Sequence, residues 1–241
     1  VVTIGSGPSH TCAIDKAGKT SCWGYNNDGQ LGDGTKKNAA VPVAVKNLTN
    51  AVEVSGGASH TCAERKDGYV MCWGNNAHQQ LGGYPFSSVA SPLLTPGLRD
   101  IGAVTAGHYF NCVVRGDKTA ACWGYSPHGQ LGYGGNTTTA SKQTVKGLVD
   151  VLRIDSGLYH TCSIDKGGAH CWGFGANGQL GDGTNKQRTT PVAVKTAAKF
   201  VDISAGYYHT CAVDQIGRVL CWGQNNYGQL GFGQTSGAKY A

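Results

Sequence analysis

Short runs of alternating apolar and polar residues recur along the chain, and none continues with a helical period. Val2 and Ile4 open the first run; Val52, Val54, Val104, Val151, Ile154, Val201 and Ile203 hold the corresponding places further on. A period of two marks a half-buried strand. A glycine punctuates the chain after each run, at Gly7, Gly57, Gly107, Gly157 and Gly206. The run His10-Thr11-Cys12-Ala13-Ile14 then predicts a second strand, Asp15–Gly18 a turn, and Thr20–Trp23 the return strand of a β-hairpin. Gly29-Gln30-Leu31-Gly32 is a further tight turn with the leucine as an apolar plug. Pro42-Val43-Ala44-Val45 is a fourth strand, with proline at its start, where a missing donor is tolerated.

This four-strand pattern is repeated. Cys-Trp-Gly occurs at Cys22, Cys72, Cys122, Cys171 and Cys221, in steps of 50, 50, 49 and 50 residues. The units fall at 1–50, 51–100, 101–150, 151–199 and 200–241. Four short strands in a unit of this length, repeated, describe the blade of a β-propeller, whereas open β-solenoids have shorter repeats. The expectation is therefore an all-β chain forming one propeller domain of five antiparallel blades around a shared core. The 38 glycines fit short strands joined by tight turns.

The string H-T-C-A-I-D-x-x-G-x-x-x-C-W-G-x-N-x-x-G-Q-L-G-x-G-T resembles the repeat of the regulator-of-chromosome-condensation (RCC1-like) propellers, over almost the whole chain. Gly29–Gly32, Gly129–Gly132, Gly178–Gly181 and Gly228–Gly231 carry the G-Q-L-G element, and Gln79-Gln80-Leu81-Gly82 is its variant. The resemblance implies the propeller fold. It leaves function open, because one fold hosts many functions. The founding member of the family has seven blades, and this chain has five units. The fifth ends at Ala241 without a counterpart of Pro42–Val45. Three arrangements stay open: a ring closed at five with one short blade, a piece of a longer ring, or a blade completed by a strand from another chain.

All ten cysteines belong to the repeat. Each Cys-Trp-Gly cysteine has a partner ten residues upstream, nine in the fourth unit. Residues facing each other across a hairpin lie close enough for a disulfide. The expected bridges are Cys12–Cys22, Cys62–Cys72, Cys112–Cys122, Cys162–Cys171 and Cys211–Cys221, one inside each blade. Each closes a short loop and would contribute about 2–3 kcal/mol on the chain-entropy model. Such bridges persist in oxidising compartments, which points to a secreted or cell-surface protein. The start at Val1, without Met, reads as a mature terminus from which any leader has been removed. A zinc site from His10, Cys12 and Cys22 lacks the usual Cys-x-x-Cys pairing.

His10, His60, His160 and His209 recur one per blade, with Phe110 in the third. They are too widely spaced to converge, and each is read as bonding neighbouring backbone. The tryptophans, expected on an inner strand, are read as packed between blades rather than as sugar platforms. Gly173–Gly178 matches a dinucleotide fingerprint but lacks a βαβ setting. No paired acid and base recurs at a useful spacing, so no catalytic residue, metal or cofactor is expected. The variable loop after each Cys-Trp-Gly is the expected ligand face, through Tyr25, Asn26, Asn76, His78, Tyr125, His128, Phe174, Asn177, Asn225 and Tyr227. Tyr84 and Phe86 form an apolar loop suited to a partner. Asn47 and Asn136 fit the N-glycosylation pattern.

The net charge of +6 is scattered along the chain, against a nucleic-acid stripe. No stretch of 18 apolar residues predicts a membrane span. The expected function is a non-enzymatic, extracellular protein-binding or structural module that binds another protein or itself, with a larger surface or fibre assembly as one setting for it. A carbohydrate-binding lectin is the alternative. The resemblance adds an enzyme inhibitor or regulator, or a small-GTPase exchange factor like the founding member.

Overall fold

The computed structural model describes residues 1–235 and contains nineteen strands and no helix among them. Blade one comprises β1 (Thr3–Ser6), β2 (His10–Ile14), β3 (Thr20–Gly24) and β4 (Ala39–Ala44). Blade two comprises β5 (Ala51–Gly56), β6 (His60–Arg65), β7 (Val70–Asn75) and β8 (Ser88–Leu94). Blade three comprises β9 (Ile101–Ala106), β10 (Phe110–Arg115), β11 (Ala120–Gly124) and β12 (Thr139–Thr144). Blade four comprises β13 (Arg153–Ser156), β14 (His160–Asp165), β15 (Gly168–Gly173) and β16 (Arg188–Ala193). Blade five has β17 (Phe200–Ala205), β18 (His209–Asp214) and β19 (Val219–Gly223). Each blade is an antiparallel meander in chain order. The expected gap at the counterpart of Pro42–Val45 in the fifth unit falls outside the described residues.

The first strand of each blade lies innermost. β1, β5, β9, β13 and β17 pack on one another in turn around a central channel. This contact is so close that a side chain at Gly7 would collide with the Gly57 carbonyl, and one at Gly157 with the Gly206 carbonyl. That is why a glycine follows each inner strand. The Cys-Trp-Gly sequence lies on the third strand from the axis, not on an inner one.

Each part of the tripeptide has its own geometric reason. Cys22 faces Cys12 in the β2–β3 register, and the five expected disulfides are all present with Cα–Cα separations of 4.0–4.2 Å. The register between third and fourth strands shifts across the tryptophan, as between Cys22 and Gly24. A bulge of this kind re-aims a side chain. The glycine after it has φ near 100°, where an L side chain is strained, and its missing Cβ makes room for the backbone of Ser9 and His10.

The core lies in the seams between blades. Cys12, Cys22, Ile14 and Leu31 of blade one pack against Val54, Ala63 and Trp73 of blade two. Equivalent clusters join blades two to three, three to four, and four to five. Trp73, Trp123, Trp172 and Trp222 are fully buried there. Among the described residues the five blades form an arc. No seam joins blades five and one among the described residues, and Ile4 is 63% exposed where its counterparts Val54, Val104 and Ile203 are buried and Ile154 is half-buried. A closed five-blade ring, one of the expected arrangements, is not formed by the described residues.

Candidate functional site

The repeated histidines are structural, but not in the expected way. His10 Nε2 is 2.8 Å from Thr61 Oγ1, His60 Nε2 is 2.9 Å from Asn111 Oδ1, and His160 Nε2 is 3.0 Å from Thr210 Oγ1. Each partner is a side chain on the next blade, not neighbouring backbone. Burial pushes His10 and His60 down to about 4 and His160 down to about 3, so the neutral imidazole is the native form. Among the described residues, no group of His, Cys, Asp and Glu is arranged to hold a metal ion.

The half-buried acids of the channel are also structural. Glu53 accepts the Val104 N–H at 2.7 Å. Asp155 accepts the Thr105 hydroxyl at 2.9 Å and the Ala205 N–H at 2.8 Å. These bonds bridge inner strands that share no backbone ladder and satisfy edge groups that would otherwise be unpaired. Burial raises both carboxyl pKa values despite these donors.

Two loops of each blade meet on one face of the arc. Tyr25 N–H donates to Ser9 C=O, and the bond is repeated by Asn75 to Ser59, Tyr125 to Tyr109, Phe174 to Tyr159 and Gln224 to Tyr208, at 2.8–3.0 Å. The loop after Cys-Trp-Gly is thus tied to the loop before the second strand. The repeated glutamine shapes the same turn. Gln80 Oε1 accepts the His78 N–H at 2.8 Å, and Gln130 Oε1 accepts that of His128 at 3.0 Å.

This pairing assembles a continuous aromatic surface. His78 lies 4.6 Å from Tyr125 and 4.8 Å from Tyr109, centroid to centroid. His108 touches Tyr109 at 4.0 Å and Tyr159 at 5.7 Å. His128 bridges Tyr159 at 5.2 Å and Phe174 at 5.0 Å, and Phe174 reaches Tyr208 at 6.0 Å. The arc runs over blades two to five, beside a central depression of about 260 Å³ lined by Pro8, Ala58, His108, Leu158 and Tyr207. Burial lowers the pKa of His78 and His108 and raises that of Tyr159.

The expected ligand residues divide. His78, Tyr125, His128 and Phe174 belong to the aromatic surface. Asn26, Asn76 and Asn225 do not, because they are buried inside their own loops. Asn76 Oδ1 accepts the Leu81 N–H at 2.9 Å, and its Nδ2 donates to the carbonyls of Tyr84 and Phe86. Asn26 and Asn225 make the same inward bond to Leu31 and Leu230. Tyr25 and Tyr227 are exposed, and Asn177 is half-buried. Sequence reasoning missed His108, Tyr109, Tyr159, Tyr207 and Tyr208. The signal was present: Pro8-Ser9 and Ala58-Ser59 give way to His108-Tyr109, Leu158-Tyr159 and Tyr207-Tyr208 before the second strand.

In the second blade, Tyr84 is anchored by its hydroxyl to Leu94 C=O at 2.6 Å, leaving Phe86 as the exposed ring. Asn47 and Asn136 both lie exposed on loops.

The fold defines a repeat β-propeller whose blades are each stapled by one disulfide. The regulator of chromosome condensation (RCC1) repeat model matches residues 18–63 and 166–213, and a second RCC1 repeat model matches 1–30, 51–80 and 200–229. The chain belongs to the RCC1 repeat family. Comparison with curated protein sequences finds no match. Among solved structures, it is similar to human WBSCR16, with 25% identity and a TM-score of 0.83 over 89% of this chain and 58% of that one. Yeast RCC1 (Prp20) bound to Kap60 superposes with a TM-score of 0.87 at 21% identity, covering 100% of this chain and 60% of that one. The ectodomain of the Physcomitrella patens receptor kinase CR4 gives 0.60 at 22% identity, over 91% of this chain and 49% of that one. The chain thus spans about three fifths of the first two structures.

Proposed function

We propose that this chain is a non-enzymatic, extracellular protein-binding module that holds its partner on the aromatic face. The carrying observation is the continuous surface of His78, Tyr109, Tyr125, His108, Tyr159, His128 and Phe174 beside the central depression. Tyrosine-rich surfaces supply large contact area at low entropy cost and dominate binding hot spots. RCC1 propellers are protein-interaction modules, and the yeast relative was solved bound to Kap60. The extracellular assignment rests on five disulfides with no free cysteine among the described residues, and on the likeness to a receptor ectodomain.

The test is capture of partners from the extracellular medium on wild-type protein and on a Tyr125→Ser/Tyr159→Ser variant. The expected result is a protein retained by the wild type and lost from the variant. Equal retention by both would overturn the aromatic face as the site. The same rings suit sugar stacking, so a glycan array forms the second arm. Binding there that free sugar competes away would make the protein a lectin.

A further inference from the structure

The loop segments that build the aromatic surface hold no charge. In blades two to five, the loop before the second strand is 57–59, 107–109, 157–159 and 206–208. The start of the loop after Cys-Trp-Gly is 75–78, 125–128, 174–177 and 224–227. None of these eight segments contains a lysine, arginine, aspartate or glutamate, in a chain with 20 basic and 14 acidic residues. In blade one the corresponding segment carries Asp28, which accepts from Asn75 Nδ2 at 3.1 Å. A charged ligand group pressed against such segments would lose its water and gain no counter-charge.

The surface offers phenol hydroxyls instead. Tyr84 and Tyr133, elsewhere in the chain, bond theirs to the Leu94 and Thr137 carbonyls. Among the described residues, no hydrogen bond engages the hydroxyl of Tyr109, Tyr125 or Tyr159. The three are neighbours: Tyr125 lies 6.2 Å from Tyr109 and 6.0 Å from Tyr159, centroid to centroid. Burial is the main cause that raises the Tyr159 pKa, and Tyr125, Tyr208, Tyr109 and Tyr207 add to it. The rings are half-buried and tilted against one another, by 56° for His78 on Tyr125, 50° for Tyr125 on Tyr159 and 62° for His128 on Phe174. Tilted rings leave slots between them rather than one flat platform. A sugar face stacks best on an open ring face, whereas a compact pyrrolidine ring fits between two.

We propose that the partner segment held on this face is an uncharged, proline-rich peptide in the polyproline II conformation. Its pyrrolidine rings sit between the tilted rings, and its backbone carbonyls accept from the hydroxyls of Tyr109, Tyr125 and Tyr159. A polyproline II helix has no internal hydrogen bonds, so its carbonyls are free to accept, and it is stiff before it binds. The row from His78 through Tyr125, Tyr159 and His128 to Phe174 has centroid steps of 4.6, 6.0, 5.2 and 5.0 Å. It takes at most about six residues of such a helix, at about 3.1 Å each. This inference rests on the aromatic face being the protein-binding site.

The probe is decaproline, acetylated and amidated so that it carries no charge, titrated calorimetrically into the full chain. Saturable binding is expected, with none for a glycine–serine peptide of the same length. Tyr109→Ser/Tyr159→Ser should weaken it about tenfold or more. Ser9 and Ser59 hold those places in blades one and two, so the fold accepts serine there. Tyr159→Phe, which removes only a hydroxyl, should weaken it by a smaller factor. Absence of decaproline binding, or equal binding by wild type and double variant, would overturn the proposal. So would binding of cellohexaose, a neutral oligosaccharide, where decaproline is silent, which favours the lectin reading. The two readings fail separately. A captured partner that is lost from Tyr125→Ser/Tyr159→Ser but not displaced by excess decaproline would keep the aromatic face as the site and overturn only the proline-rich ligand.

Discussion

The indole Nε1–H of Trp73 donates to the carbonyl oxygen of Gln30 at 2.8 Å, so blade two closes a bond inside the tight turn of blade one. Trp123 with Gln80, Trp172 with Gln130 and Trp222 with Gln179 repeat it. The Gln30 side chain turns the other way and accepts the Asp28 N–H at 3.0 Å. One residue type therefore fixes both the seam and the loop above it.

Trp123→Phe should lower stability by about 2–3 kcal/mol, since it removes a buried donor and leaves a void. Trp23→Phe should cost less than about 1 kcal/mol, because its residue is half-buried and its N–H reaches no glutamine carbonyl among the described residues. Urea midpoints of the two variants check the contrast.

The buried histidines predict acid sensitivity. His60 and His160 have native pKa values depressed to about 4 and about 3 from 6.5, so the unfolded chain takes up their protons first. Their contribution is whole above pH 6.5 and is lost as pH falls from there through those native values. Burial raises Glu64 to about 7, which works in the opposite direction, so the comparison must be between variants. His160→Phe is expected to flatten the acid loss and to change stability at pH 7 by about 1 kcal/mol or less. Phe110 already fills that place in blade three. Thermal unfolding from pH 7 to pH 4 measures both effects.

The five disulfides should differ in accessibility. Cys211 and Cys221 are half-buried, while the cysteines of the other four bridges are 0–1% exposed. Mild reduction followed by alkylation and peptide mass spectrometry should label Cys211 and Cys221 first. Full reduction should lower stability by several kcal/mol, at about 2–3 kcal/mol for each bridge.

The inner strands leave no room at Gly157. Gly157→Ala would drive a methyl group into the Gly206 carbonyl and the His160 ring. A destabilisation of about 3 kcal/mol or more is expected, since backbone must move. Gly217→Ala lies at φ 82° with open space around it and should cost only about 1 kcal/mol in strain. Their denaturation midpoints should rank in that order.

Strand order, blade boundaries and disulfide pairing were legible because they follow from local rules. Cys12 and Cys22 face each other because a hairpin of that turn length must pair them, and the period near fifty repeats the solution. Asn26 and His128 show where local rules stop. Both are polar residues in the same kind of loop, yet Asn26 points inward to hold its turn while His128 stacks on Tyr159 and Phe174. Asn26 sits at the recurring asparagine position and is held by its own loop, whereas the neighbours of His128 come from the next blade and are not written in its loop.

The chain alone therefore determined what forms within one blade: four short strands, a stapled hairpin and turns that require glycine. Tertiary structure decided everything that involves two blades. It set the partner of His60, the depth of Trp73 against that of Trp23, and the meeting of rings from blades two to five on one face. The physical reason is distance along the chain. Contacts inside a blade close over ten or so residues, whereas His60 and Asn111 are 51 residues apart and meet only once two blades have packed.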